Sequence, residues 1–239
     1  MTMVVPAVLP ASRKDLEEKL ALFAGIPSVS RIQIDVVDGR FATPASWPYS
    51  APTELQDMIK RGEMLPHLDR IEYEIDLMCF DAERAAQAWL AFGATRLTFH
   101  IESITDLPRC LTSARARYGR GDGFVSGLIS FGLALNITTD LALIEPCLSE
   151  IEYVQFMGIT RIGRQGQAFN RRVLEKVRAF RAEHPEVRVQ VDGGLTPPSA
   201  RELIALGVSN LVVGSGIVRA DNPAAAVEAF EALKSPFGV

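Results

Sequence analysis

Eight times along this chain a short apolar or alternating run gives way to a longer stretch with helical period. The strand pattern falls at residues 4–9, 31–37, 71–78, 96–100, within 128–136, and at 151–157, 187–191 and 210–213. Helices are expected from Ser12, with Leu16, Leu20 and Phe23 on one face, and over 51–60. Others are expected from Asp81, from past His100 to near Tyr118, near 139–148, and over 171–184. The last two run from Thr196-Pro197 to Gly207 and over 223–233. Strict strand–helix alternation calls for a parallel sheet, and eight units fit a closed (β/α)₈ TIM barrel better than an open sheet. The 239 residues match the ~250 such a barrel takes. No Pro/Ser-rich linker interrupts them, so residues 1–239 read as one domain.

Side chains alternate across a strand, and here the alternation is chemical. The second strand carries Arg31, Gln33 and Asp35 against Ile32, Ile34 and Val36. The third carries Glu72, Glu74 and Asp76, the fourth Arg96, Thr98 and His100, the seventh Arg188, Gln190 and Asp192. In a barrel wrapped by helices the apolar set faces outward and the polar set inward, where each charge needs a partner. Arg31, Arg96 and Arg188 could pair with Glu72 and Glu74 low in the barrel. Gln33, Asp35, Asp76, His100 and Asp192 are left at the C-terminal mouth, where barrel enzymes keep their chemistry.

A net charge of −4 with no Lys/Arg run argues against a nucleic-acid partner. The apolar stretch around 124–137 is broken by Ser126, Gly127, Ser130, Gly132 and Asn136 and is too short for a bilayer. The N-terminus lacks the features of a secretory signal, so a cytoplasmic protein is expected. Cys79, Cys110 and Cys147 show no ligand spacing and read as buried thiols. His67 and His184 lie beside loops and read as solvated.

Asp192-Gly193-Gly194 closes the seventh strand and Gly214-Ser215-Gly216 the eighth. Glycines allow close backbone approach and present N–H groups to an anion, and residues 216–219 are long enough for a helical turn whose N-terminus adds a favourable dipole. Either loop alone could be a tight turn. Two after consecutive final strands indicate a phosphate site. A third glycine-rich loop, with Gly163 and Gly166, could close over the same group.

These pieces together resemble the ribulose-phosphate 3-epimerase family. Ile34-Asp35-Val36-Val37-Asp38-Gly39 looks like the family's second-strand motif, and Asp76-Leu77-Met78 stands where it has His-Leu-Met. Thr98-Phe99-His100, Gly132-Leu133-Ala134, Met157, Asp192-Gly193-Gly194 and Gly214-Ser215 follow in order. The resemblance implies a ribulose-phosphate-binding barrel that binds a small sugar phosphate, assembles as a homo-oligomer, and epimerises ribulose 5-phosphate or a related ketose phosphate at C3. Asp35 and Asp192 are the implied acid and base. Gly193, Gly194, Gly214, Ser215, Gly163, Gly166, His100, Met78 and Met157 are the implied substrate contacts, the two methionines being most simply read as apolar packing at the mouth.

Stereo-inversion by itself demands a base and an acid on opposite faces, and two carboxylates near one site split their pKa values. The family's metal site uses two histidines and two aspartates; here the histidine positions hold Gln33 and Asp76. Gln33, Asp35, Asp76 and Asp192 form an oxygen set that suits Mg²⁺ or Mn²⁺ better than zinc. The alternative is a metal-free site with His100 or an arginine stabilising the oxyanion. The family's first-strand serine is Ala7, and Arg161 and Arg164 could reach the phosphate or a second anionic group. Two other readings stay open: a different enediolate-type isomerase or lyase, and a catalytically silent phosphosugar binder. Schiff-base chemistry is disfavoured, because no Asp-x-Lys pattern occurs.

Overall fold

The computed structural model describes residues 2–119 and 129–234, and the apolar stretch at 124–137 lies outside them up to residue 128. Eight parallel strands close into a barrel in sequence order. They are β1 (Met3–Val8), β2 (Arg31–Val37), β3 (Glu72–Met78), β4 (Arg96–His100), β5 (Ser130–Leu135), β6 (Tyr153–Met157), β7 (Arg188–Asp192) and β8 (Asn210–Val213). Around them lie α1 (Arg13–Ala24), α2 (Glu54–Lys60), α3 (Ala82–Ala91), α4 (Leu107–Ala114), α5 (Arg172–Glu183), α6 (Pro197–Ala205), α7 (Ser215–Val218) and α8 (Pro223–Glu231). None of the described helices is long and apolar enough to cross a membrane.

Local chemistry starts the helices where expected. The Ser12 side chain accepts from Asp15 N at α1, and Thr196 and Ser199 form a reciprocal capping box at α6. Leu16, Leu20 and Phe23 are buried against the barrel. Three expectations need correction. Asp81 precedes α3 but does not cap it; its carboxylate takes Tyr49 Oη and Arg84 instead. In place of an α-helix at 139–148 there are two 3₁₀ turns, Leu141–Leu143 and Glu145–Glu150, since Pro146 can donate no backbone hydrogen bond. Beyond Ala114 the chain widens into a π turn at Arg115–Gly119.

The strand alternation sorts as its chemistry requires. Ile32, Ile34, Val36, Tyr73, Ile75, Leu77, Leu97 and Phe99 join the core under the helices. Gln33, Glu74, Asp76, Thr98, His100, Gln155 and Gln190 are fully buried. Arg31 meets Glu72 at 2.5 Å and Arg96 meets Glu74 at 2.9 Å. Arg188 does not join them: it stands exposed at the start of β7, where its charge keeps its water. Low in the barrel the Tyr153 ring occupies the space that Gly132 leaves free, with the Arg96 guanidinium 4.2 Å from the ring centre. Cys79, Cys110 and Cys147 are buried free thiols. His67 is exposed, but His184 is half-buried beside Phe180, 3.1 Å from Glu145.

Candidate functional site

The mouth of the barrel holds one pocket that gathers most of the residues singled out from sequence. Asp35, Met78, Met157, Gly163, Gly166, Asp192, Gly193, Gly194, Gly214 and Ser215 all line it. Ala7, Ile159, Arg164, Gln165 and Gln167 complete the lining. Gln33, Asp76 and His100 do not reach the pocket; they are fully buried beneath it. Arg161 lines a neighbouring hollow with Phe41, Thr43 and Asn136.

Parallel pairing sets the geometry. Asp35 sits opposite Asp76 on β2–β3, and Met157 opposite Asp192 on β6–β7. Asp35 and Asp192 are each only 7 % exposed. One atom joins them: Gln33 Nε2 donates to Asp35 Oδ1 at 2.9 Å and to Asp192 Oδ2 at 3.0 Å. Asp35 therefore takes Gln33 as a hydrogen-bond donor. Burial pushes the Asp35 carboxyl up to about 7, and the nearby Asp76 adds to the push. Burial and then the charges of Asp35 and Asp76 raise Asp192 well above the usual carboxylate range. The pair thus favours holding a proton.

Behind them His100 Nε2 lies 2.9 Å from Asp76 Oδ1, close but outside hydrogen-bond alignment, and His100 Nδ1 lies 3.8 Å from Glu102. Burial alone would depress the imidazole; Asp76, then Glu102, outweigh it and raise the pKa to about 10. Asp38 holds the turn that follows β2. Its Oδ1 accepts from Arg40 N and Phe41 N, both at 2.7 Å, and so braces the turn at Gly39.

Asp35, Asp76 and Asp192 bring carboxylate oxygens within 4.8 Å of one another, although Asp76 Oδ1 already faces the His100 imidazole. Three converging carboxylates fit a divalent cation that prefers oxygen. Gln33 stands differently in this set, because it turns its nitrogen, not its oxygen, toward the carboxylates.

The cradle for an anion also takes shape. Gly193 and Gly194 have φ of 108° and 71°, values a side chain would strain, and α7 begins at Ser215 immediately after Gly214. The loop after β6 folds across this cradle. Gln165 Nε2 donates to Ala7 O at 3.2 Å, and Arg164 Nε donates to Thr43 O at 2.8 Å, tying the loop to the β2–α2 connection. A Cβ on Gly214 would stand 2.7 Å from the Gln165 amide nitrogen.

Residues 3–218 match the model of the ribulose-phosphate 3 epimerase family. The chain belongs to this family. It is 29% identical over 233 residues to the ribulose-phosphate 3-epimerase of Mycobacterium tuberculosis, covering 95% of this chain and 90% of that one. To the chloroplastic ribulose-5-phosphate-3-epimerase of Arabidopsis thaliana it is 26% identical over 243 residues, covering 99% and 79%. Among solved structures it is similar to KGPDC from Streptococcus mutans, at a TM-score of 0.70 and 17% identity over 98% and 97% of the two chains. The 3-hexulose-6-phosphate synthase of Salmonella typhimurium matches at a TM-score of 0.65 and 13% identity, over 98% of each chain. Full-length matches at such low identity make this a divergent member of the epimerase family, with a phosphosugar-binding TIM barrel.

Sequence reasoning missed Gln155 and Gln165. Gln155 was legible from the Tyr153, Gln155, Met157 alternation on β6, which matches that of the other strands. Gln165 carries no such signal, since it reaches the pocket from a loop.

Proposed function

We propose that this chain is a phosphoketose 3-epimerase, with ribulose 5-phosphate and xylulose 5-phosphate as the first substrates to test. The observation that carries the reading is the Asp35–Asp192 pair at the pocket floor, bridged by one amide nitrogen beside the glycine cradle. The backbone N–H groups at Gly193, Gly194, Gly214 and Ser215 would anchor the phosphate and so fix the sugar in register.

One aspartate of the pair, ionised, takes the C3 proton, and the electron pair moves onto the adjacent carbonyl oxygen to give an enediolate. The other aspartate, which holds the shared proton, delivers it to the opposite face of C3. In reverse the roles exchange. A divalent ion held by Asp35, Asp76 and Asp192, Mg²⁺ or Mn²⁺ rather than zinc by the all-oxygen donor set, would supply positive charge for the enediolate oxygens. Met78 and Met157 line the sugar's path as apolar walls.

The test is incubation of the protein with ribulose 5-phosphate in D₂O, with Mg²⁺, Mn²⁺ or a chelator, followed by NMR. Xylulose 5-phosphate deuterated at C3 is the expected product. Absence of exchange at any carbon, with ketose phosphates still raising the melting temperature, would instead indicate a silent binder.

A further inference from the structure

Below the aspartates lies a closed layer of four fully buried side chains: Gln33, Glu74, Gln155 and Gln190. Glu74 is an acceptor with its orientation fixed from both ends. Its Oε2 accepts from Arg96 Nε at 2.9 Å, and its Oε1 accepts from Thr98 Oγ1 at 3.1 Å and from Gln190 Nε2. A carboxylate paired with arginine offers only lone pairs, so Gln190 must present its nitrogen there.

The two hydrogens of that nitrogen serve two further oxygens as well, Gln155 Oε1 at 2.7 Å and Gln33 Oε1 at 3.3 Å, so the bond to Gln33, the longest of the three, is a shared one. Both glutamines therefore turn their oxygens inward and their nitrogens toward the mouth. Gln155 Nε2 donates to Asp76 Oδ2 at 3.1 Å, and Gln33 Nε2 donates to Asp35 and Asp192. Amide orientation is assigned through such networks, and here carboxylates at both ends agree. Reversing Gln33 would set its oxygen against whichever aspartate is ionised and its nitrogen against that of Gln190.

We infer that Gln190, anchored by Glu74, is a positioning residue that locks Gln33 with one N–H on each of the two reacting aspartates. That the two aspartates react rests on the epimerase reading; the lock on Gln33 does not. The arrangement suits a proton that must cross between two sites. Each aspartate finds a donor when it is the ionised one, so neither direction is favoured by the bridge.

The test uses ¹⁵N-labelled full-length protein, with the Gln33 side-chain amide assigned by its loss in Gln33→Met. In Gln190→Met, which keeps the volume and removes the donor, the Gln33 amide protons are expected to exchange at least about tenfold faster. The kcat on ketose phosphate should fall by about 10–100-fold, as when an outer partner of a catalytic group is lost, with KM nearly unchanged. In Gln155→Met the Gln33 amide should stay protected, because the Gln190 hydrogen that Gln155 shared is left to Gln33. Undiminished protection of the Gln33 amide in Gln190→Met overturns the proposal. If Gln190→Met does not fold, a neutron structure of the wild-type protein decides: deuterium on the Gln33 atom facing Asp35 and Asp192 supports the lock, and deuterium on the atom facing Gln190 refutes it. A protein that turns over no ketose phosphate refutes the epimerase reading, while the amide exchange still judges the lock.

Discussion

His100 and Asp76 form an ion pair with no exposed surface, 2.9 Å from Nε2 to Oδ1, directly behind the two aspartates at the mouth. The imidazole pKa is raised to about 10 against an ordinary 6.5, so the native state binds its proton more tightly than the unfolded chain does. The stability this contributes is fully present below pH 6.5 and is lost as pH rises through 10. Denaturant unfolding should show wild-type stability falling across that window by no more than about 1.4 kcal/mol per pH unit. His100→Asn should flatten the slope there.

Asp35 makes a second window. Its pKa is raised from 3.8 to about 7, so its contribution is full below 3.8 and lost as pH rises through 7. Asp35→Asn, which still offers Gln33 an acceptor, should therefore be more stable than wild type at pH 8, by about 1–3 kcal/mol. Below pH 4 the two should unfold alike. A wild type that gains stability between pH 4 and 7 relative to this variant would reverse the sign and contradict the assignment.

Gly132 is required by its neighbour rather than by its backbone angles. A Cβ there would stand 2.2 Å from Cε2 of Tyr153, a fully packed ring over which Arg96 lies. Gly132→Ala should destabilise the barrel by at least about 1–3 kcal/mol, as overpacked cores do. Adding Tyr153→Ala should remove much of the penalty specific to the methyl group, so the two changes should be strongly non-additive in denaturant melts.

The loop after β6 is tied down by Arg164 to Thr43 O, an exposed hydrogen bond that the Thr43 hydroxyl reinforces only weakly at 3.4 Å. Such a bond contributes about 0.5–1.5 kcal/mol. Arg164→Ala should speed dissociation of a bound ketose phosphate by roughly the corresponding factor, about 2–10-fold, in stopped-flow displacement. An unchanged dissociation rate would mean that the loop does not gate the pocket.

The barrel was legible because one signal repeated on strand after strand. Arg31-Gln33-Asp35 and Glu72-Glu74-Asp76 could only be stacked inward once Ile32, Ile34, Tyr73 and Ile75 were given to the helices. Glycines placed after β7 and β8 marked the cradle for the same local reason. What the sequence hid was relational. Gln33 reads as a ligand oxygen or a donor nitrogen until Gln190 and Glu74, on two other strands, fix which end faces the aspartates. Arg188 resembled Arg31 and Arg96 in phase, but where those two lie opposite Glu72 and Glu74 in register it lies opposite Tyr153, and it stays exposed. Residues 139–148 have helical spacing, and Pro146 overrides it.

The most direct measurement compares C3 hydrogen exchange from each epimer, ribulose 5-phosphate and xylulose 5-phosphate, in D₂O by Asp35→Asn and Asp192→Asn. With one carboxylate on each face of the sugar, each variant should wash deuterium into only one of the two epimers, the opposite one in the two variants, and neither should invert C3. Inversion by either variant, or exchange of both epimers by both, would contradict a mechanism built on this pair.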